Sequence, residues 1–162
     1  MGVVMLSLTI PLLLAATLTQ AGQEPAAATI IDSGSTNRAG FRIVVNAAVN
    51  RAGTAEITVQ PGRFDSTDTV LKPTTRVLSN DIAEKLFAAL KAAGRLDALP
   101  AIHCAKSASF GSTLTIALGD EQSPDLSCGD GGNPALRELI GVVRQIVALA
   151  DVQDMRLRRE VR

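Results

Sequence analysis

The sequence predicts an α+β domain in which two helices pack on one face of an antiparallel sheet built from two β-hairpins. Three segments alternate apolar and polar residues with a period of two, and short turns join them and a fourth short segment into two pairs. Two longer segments repeat apolar residues at helical spacing between clear start and stop signals. The resulting order is ββαββα, because the turns are too short for the crossovers that a parallel sheet needs.

The first hairpin is predicted where "GFRIVVNAAV" and "TAEITVQ" flank the turn sequence "NRAG" at residues 50 to 53. Phe41, Ile43 and Val45 would share one face of its first strand, with polar residues on the other. A loop from 61 to 73 follows, after which "TTRVL" offers a candidate short strand.

The first helix is predicted over about 80 to 93, between Ser79 as N-cap and Gly94 as stop signal. The second is predicted over about 134 to 150, with Asn133 as N-cap followed by a proline at the first helical position. Between them, "LTIAL" alternates, "GDEQ" predicts a turn, and a short strand near "SPDLSC" would complete the second hairpin.

Cys104 and Cys128 are the two cysteines of the chain, and in an exported protein they predict a disulfide. The bond would close a loop of about 25 residues and contribute roughly 3 kcal/mol in the chain-entropy model. The alternative is a metal site that uses His103, Cys104 and Cys128, but it lacks the second histidine or paired CxxC of zinc ligand sets. We therefore expect no metal and no cofactor.

The N-terminal segment predicts export, because residues 3 to 18 are uncharged and mostly apolar and are followed by small residues at Thr19-x-Ala21. As a helix this segment would span about 24 Å, short of the ~30 Å hydrocarbon core, so membrane contact is expected only through an uncleaved signal segment. The expected organisation is a signal peptide over 1 to 21 (28 being the latest cleavage position), a flexible leader over 22 to 31, one domain over 32 to 151 and a basic tail over 152 to 162.

The composition argues against nucleic-acid binding. The chain has 16 basic and 16 acidic residues, all beyond position 21, so its net charge is zero. A neutral domain has no long-range field that attracts phosphate backbones, and without tryptophan or tyrosine this one has few side chains for stacking on bases.

"TIIDSGSTNRAG", residues 29 to 40, contains the pattern of an aspartic-protease catalytic loop. Such enzymes place two carboxylates close enough to share one proton, so a chain with one loop would have to form a homodimer of the retroviral type. "LIGV", at 139 to 142, resembles the apolar pair before a glycine that this family also needs, but it lies inside the second predicted helix. Too few residues separate either cleavage position from Asp32 for the strands that precede the loop in that family.

The simpler prediction for this stretch is an ordered turn that leads into the first hairpin and whose Asp and Asn side chains bond their own backbone. Any binding role would then fall on the polar residues of the turn, namely Asp32, Ser33, Ser35, Thr36 and Asn37.

Other residues that could carry chemistry are sparse. His103 is the single histidine, so any Ser-His-Asp or Cys-His mechanism would need it, and a structural or exposed role is expected. "GDGGN", 129 to 133, precedes a helix but lacks the lysine of a phosphate loop, so we expect a capped loop. "MRLRREVR" near the C-terminus has four arginines and one glutamate and is typical of a solvated helix end.

Three segments, "DSGSTNRAGFRIVV", "HCAKSASFGSTLTIALG" and "SPDLSC", resemble a group of uncharacterised secreted bacterial proteins, and with their spacing the resemblance covers most of residues 30 to 128. It implies a small secreted domain and assigns no activity, cofactor or site. We expect a secreted or periplasmic non-enzymatic domain that binds a protein or cell-envelope partner, such as an extracellular hydrolase that it inhibits. The alternatives are a dimeric retropepsin-like acid peptidase that uses Asp32, and a structural envelope protein.

Overall fold

The computed structural model describes residues 27 to 35, 39 to 46, 53 to 60, 73 to 107 and 111 to 150. The predicted signal peptide and the predicted basic tail lie outside these residues. Within them the chain forms an antiparallel sheet and two α-helices, so the predicted α+β class is confirmed.

The described strands form one antiparallel sheet in the order β4-β3-β2-β1-β5-β6. Their bounds are β1 Ala27–Asp32, β2 Gly40–Asn46, β3 Thr54–Gln60, β4 Thr74–Val77, β5 Leu114–Leu118 and β6 Glu121–Gln122. The α-helices are α1 Asn80–Ala93 and α2 Pro134–Leu149, and two short 3₁₀ helices cover Leu96–Ala98 and Leu126–Cys128.

β1 is the main difference from the predicted order of elements. The assignment of residues 27 to 31 to a flexible leader is wrong, because β1 pairs with β2 on one side and with β5 on the other. Ala28 and Ile30 are fully buried and alternate with half-buried neighbours. The strand is short and begins with two alanines, so its period-two signal is weak in the sequence. The folded domain therefore includes residues before 32.

The first predicted hairpin forms, and the second forms with a different last strand. β2 and β3 make the first, with Ile43 opposite Ile57, and β4 extends the sheet beyond β3. β5 and β6 make the second, but its last strand is Glu121–Gln122, so the strand predicted near "SPDLSC" is wrong. That segment leaves the sheet because Pro124 has no N–H for a ladder and the Asp125 side chain accepts a hydrogen bond from Ser127 N at 3.0 Å.

The helix bounds agree with the prediction to within one residue. Ser79 occupies the N-cap position of α1, although its side chain makes no capping bond. At the start of α2, Asn133 Oδ1 accepts hydrogen bonds from Ala135 N at 3.0 Å and Leu136 N at 3.3 Å. Two of the N–H groups that a helix leaves without a partner in its first turn are therefore satisfied by the predicted cap.

One hydrophobic cluster lies between the sheet and the helices. Because α1 and α2 both contribute to it and contact each other, they cover the same sheet face, as predicted. Burying a side chain of leucine or isoleucine size contributes about 2 kcal/mol. The largest fully buried members are Ile30, Phe41, Ile43, Ile57, Leu86, Leu96, Ile116, Leu126, Leu136, Leu139 and Ile146.

Candidate functional site

Asp32 lies at the end of β1, on the same side of the strand as the buried residues Ala28 and Ile30. The residue is 8% exposed, so it sits at the margin of the core rather than on an open turn. Its Oδ1 atom accepts a hydrogen bond from Gly34 N at 2.7 Å. The predicted bond between this side chain and its own backbone is therefore present, but the turn connects β1 to β2 instead of preceding the first strand.

Ser33 joins this turn to the beginning of β5. Its N–H donates to Thr113 O at 3.0 Å, and its Oγ atom accepts from Thr113 N at 2.9 Å. Its hydroxyl also donates to Gly34 O at 3.0 Å. Ser35 is half-buried just beyond, whereas Thr36 and Asn37 lie outside the described residues. The side chain of Ser33 is thus committed to holding two chain segments together.

Lys106 links three further groups at the same end of the sheet. Its Nζ atom donates to Ser112 O at 2.7 Å, to Ser127 Oγ at 2.6 Å and to Asp125 Oδ2. The side chains of Lys106 and Asp125 are each 26% exposed, so this ion pair is partly shielded from water. An ammonium group has three N–H donors, and each has an acceptor here.

Asp125 is the acceptor at the centre of these contacts. Its Oδ1 atom accepts from Leu114 N at 3.0 Å, from Ser127 N at 3.0 Å and from the Ser127 hydroxyl at 2.7 Å. Partial burial by itself would raise the pKa of the Asp125 carboxyl. The hydrogen bonds from Lys106, Leu114 and Ser127 outweigh that effect and hold this pKa well below its usual range.

We call Ser33, Lys106, Ser112, Asp125 and Ser127 the polar cluster. The cluster brings together residues from the three segments that carry the sequence resemblance, the first of which is distant along the chain from the other two. Sequence reasoning singled out these segments without assigning a role to Lys106, Asp125 or Ser127. The placement of Ser33 beside Thr113 depends on β1 and β5 being neighbours, and β1 was not predicted as a strand.

Two more contacts fasten the same region. Cys104 and Cys128 form the predicted disulfide, with their Cα atoms 5.4 Å apart, so the alternative metal site is wrong because these sulfurs are not free thiolates. Gly131 lies against Ile102, since a Cβ atom built on this glycine would be 2.4 Å from Ile102 Cδ1. Gly131 also has a φ of 57°, a conformation that favours glycine.

The contacts of the polar cluster hold distant chain segments together. The Ser127 hydroxyl donates to Asp125 Oδ1 and accepts from the Lys106 ammonium, which also donates to two other acceptors. His103 is exposed. Among the described residues, no group of three or more His, Cys, Asp or Glu side chains could hold a metal ion.

A groove begins directly after Cys128 and runs along the first turns of α2. Its volume is about 310 Å³, and it is lined by Gly129, Asp130, Arg137, Ile140, Gly141 and Arg144. Asp130 Oδ1 accepts from Gly132 N at 2.9 Å, and Asp130 Oδ2 accepts from Arg137 Nε at 2.5 Å. These two bonds lower the pKa of the Asp130 carboxyl, with the backbone bond as the larger cause.

The sequence prediction of a capped loop at 129 to 133 agrees with this geometry, but it did not anticipate the groove beside it. A sequence signal that could have indicated the groove is Gly141. This glycine lies in the middle of a helix, with arginines four residues before it and three residues after it. Residues at these spacings lie on one face of a helix.

Comparison of the chain with protein-family models, with curated proteins and with solved structures gives no match. Among the described residues, no helix is long and apolar enough to cross a membrane.

Proposed function

We propose that this chain is an exported, non-enzymatic domain that binds a protein or cell-envelope partner. It would use the loops at the end of the sheet that carries the polar cluster, which we call the polar end. The observation that carries the proposal is the number of cross-links on the exposed segment around residues 101 to 107. This segment has no regular secondary structure, yet the disulfide at Cys104, the contacts of Lys106 and the packing of Ile102 on Gly131 all hold it.

Exposed irregular segments on a rigid scaffold are common binding surfaces. A segment that is already ordered loses little conformational entropy when it binds, so cross-links of this kind raise affinity. An extracellular hydrolase is one partner class that fits, because an ordered exposed loop can enter an active-site cleft without first having to fold.

The disulfide supports export, since such bonds form and persist in oxidising compartments. Cleavage of the signal peptide after Ala21 agrees better with the fold than cleavage after Ala28, because the later position would remove two residues of the central strand β1.

The position of Asp32 favours a binding domain over an acid peptidase. An aspartic dyad brings two carboxylates into contact, and in a homodimer the second would have to come from another copy. Asp32 is 8% exposed, so little of its surface is available to another chain. Hydrolysis of a denatured protein at about pH 4, abolished by Asp32→Asn, would support the peptidase instead.

The experiment for the proposed function is capture with the immobilised chain, exported and processed by its host and with its disulfide formed. It is exposed to culture-filtrate and periplasmic extracts at micromolar concentration. We expect a partner whose retention falls when His103, which is exposed in the segment that carries the proposal, is changed to alanine. A control variant changes Thr75 and Gln122, which are exposed on the two edge strands β4 and β6, to alanine.

The control variant should retain the partner as well as the unmodified chain does. If no partner is retained, the binding proposal is wrong and a structural role in the envelope becomes the better account. If the His103 variant and the edge-strand variant lose the partner equally, the segment around residues 101 to 107 is not the binding surface.

A further inference from the structure

We propose that the groove on α2 binds an acidic segment of the protein partner, with Arg144 holding a carboxylate and Gly141 admitting the partner's backbone. This inference rests on the proposed function and specifies a surface and the chemistry of the partner. It concerns α2 and the loop before it, not the turn at Asp32.

Gly141 is exposed in the interior of α2, where glycine weakens a helix relative to alanine. A Cβ atom built there has no heavy atom within 4 Å, so packing among the described residues does not require glycine at this position. The missing side chain instead leaves the helix backbone uncovered in the groove. Glycine is the residue that allows a second backbone to approach closely.

The two arginines that flank Gly141 differ in what they contact. Arg137 donates from Nε to Asp130 Oδ2, which fixes the orientation of its guanidinium. Arg144 makes no ion pair within the described residues, so its guanidinium is available to a ligand. A guanidinium forms two parallel hydrogen bonds with a carboxylate, which gives both direction and specificity. The Asp130 carboxylate repels an acidic group near Arg137, so the ligand carboxylate is directed to Arg144.

The same residues favour a carboxylate over a phosphate. A phosphate site at a helix start uses N–H groups of the first turn, but Asn133 already accepts from two of them in α2. A phosphate dianion would also be repelled by Asp130 more strongly than a single carboxylate would be.

The groove is continuous with the polar end of the sheet. Gly129 and Asp130 follow Cys128 directly, and Gly131 packs on Ile102 of the exposed segment. A partner bound to that segment can therefore extend across the loop onto α2 without leaving the surface of the domain.

The test is a fluorescence anisotropy titration of the full processed chain with a labelled hexapeptide of alternating glutamate and glycine. A second peptide has glutamine in place of glutamate. We expect binding of the glutamate peptide that weakens with added salt, and binding of the glutamine peptide that is about ten-fold weaker or more. Equal affinity for the two peptides would overturn the inference.

Two variants with matched controls locate the peptide. Arg144→Gln should weaken binding about five-fold, whereas Gln145→Glu, with the same change in net charge on an adjacent exposed residue, should have a smaller effect. Gly141→Gln should obstruct the groove and abolish binding while raising the thermal midpoint, because glutamine forms helix better than glycine. Ala88→Gln introduces the same side chain at an exposed position of α1 and should leave binding unchanged.

The remaining outcomes are decisive as well. Inorganic phosphate that competes as strongly as the glutamate peptide would overturn the assignment of the groove to a carboxylate. If extracts yield a partner that Arg144→Gln and Gly141→Gln retain as well as the unmodified chain, the groove inference is wrong and the proposed function stands. If extracts yield no partner, the proposed function fails and the titration still decides whether the groove binds acidic peptide.

Discussion

The substitution Asp125→Asn tests whether the polar cluster stabilises the fold through a charged group. Asparagine keeps one oxygen that can accept from the N–H groups of Leu114 and Ser127. It replaces Oδ2 by an NH₂ group that faces the Lys106 ammonium, so the ion pair is lost and two donors face each other.

The size of the effect follows from the environment of the pair. A hydrogen bond to a charged group contributes about 1.5 to 3 kcal/mol, and the 26% exposure of both side chains places this pair below the upper end of that range. We therefore expect Asp125→Asn to lower the free energy of unfolding by about 2 kcal/mol at neutral pH.

The pH dependence has a definite sign. The pKa of Asp125 is lowered in the folded state, so its stabilising effect is fully present above the pKa of the unfolded chain, about 3.9. The effect is lost progressively as the pH falls from there toward the folded pKa. At about pH 3 the loss amounts to about 1.3 kcal/mol, and the difference between the unmodified chain and Asp125→Asn should shrink by that amount.

Urea unfolding at about pH 7 and at about pH 3, with the disulfide intact, measures both quantities. The control is Asp120→Asn, an exposed residue in the turn between β5 and β6, which should differ from the unmodified chain by less than about 0.5 kcal/mol at either pH. A difference for Asp125→Asn that is the same at both pH values would refute the assignment of the stabilisation to an ionised Asp125.

Two further pairs of substitutions test the packing. Ile30→Ala should lower the free energy of unfolding by about 3 kcal/mol, because Ile30 is fully buried in β1. Ile31→Ala, on the opposite face of the sheet, should lower it by less than about 1 kcal/mol. Equal effects of the two substitutions would contradict the central position of β1. Gly131→Ala should lower the free energy of unfolding by about 2 kcal/mol, because this glycine has a positive φ and an added Cβ would meet Ile102. In the presence of Ile102→Ala the cost should be about 1 kcal/mol smaller. Purely additive effects of the two substitutions in thermal unfolding would show that Ile102 does not obstruct the added Cβ.

The polar cluster could be predicted only in part. "DSGST", "KSASFG" and "SPDLSC" are conspicuous as polar segments, and the bond from Asp32 to its own backbone follows from the local preference of aspartate in turns. The contacts of Lys106 with Ser112, Asp125 and Ser127 do not follow from local sequence. They require the segment before β5 and the segment after β6 to meet, which is a consequence of the hairpin and the disulfide together.

The amino-acid sequence by itself determined the features of this protein that depend on neighbouring residues. Both α-helices follow from helical periodicity and from capping signals such as Asn133, and the β2–β3 hairpin follows from a long period-two alternation. The disulfide followed from there being two cysteines in a chain predicted to be exported.

The tertiary structure decided the rest, because it depends on which distant segments share the core. β1 is a strand because Ala28 and Ile30 are buried between β2, β5 and the helices, and no local signal of comparable strength marks it. Its central place puts Asp32 at the margin of the core and Ser33 beside Thr113, so a stretch that looked like a catalytic loop serves to join two strands.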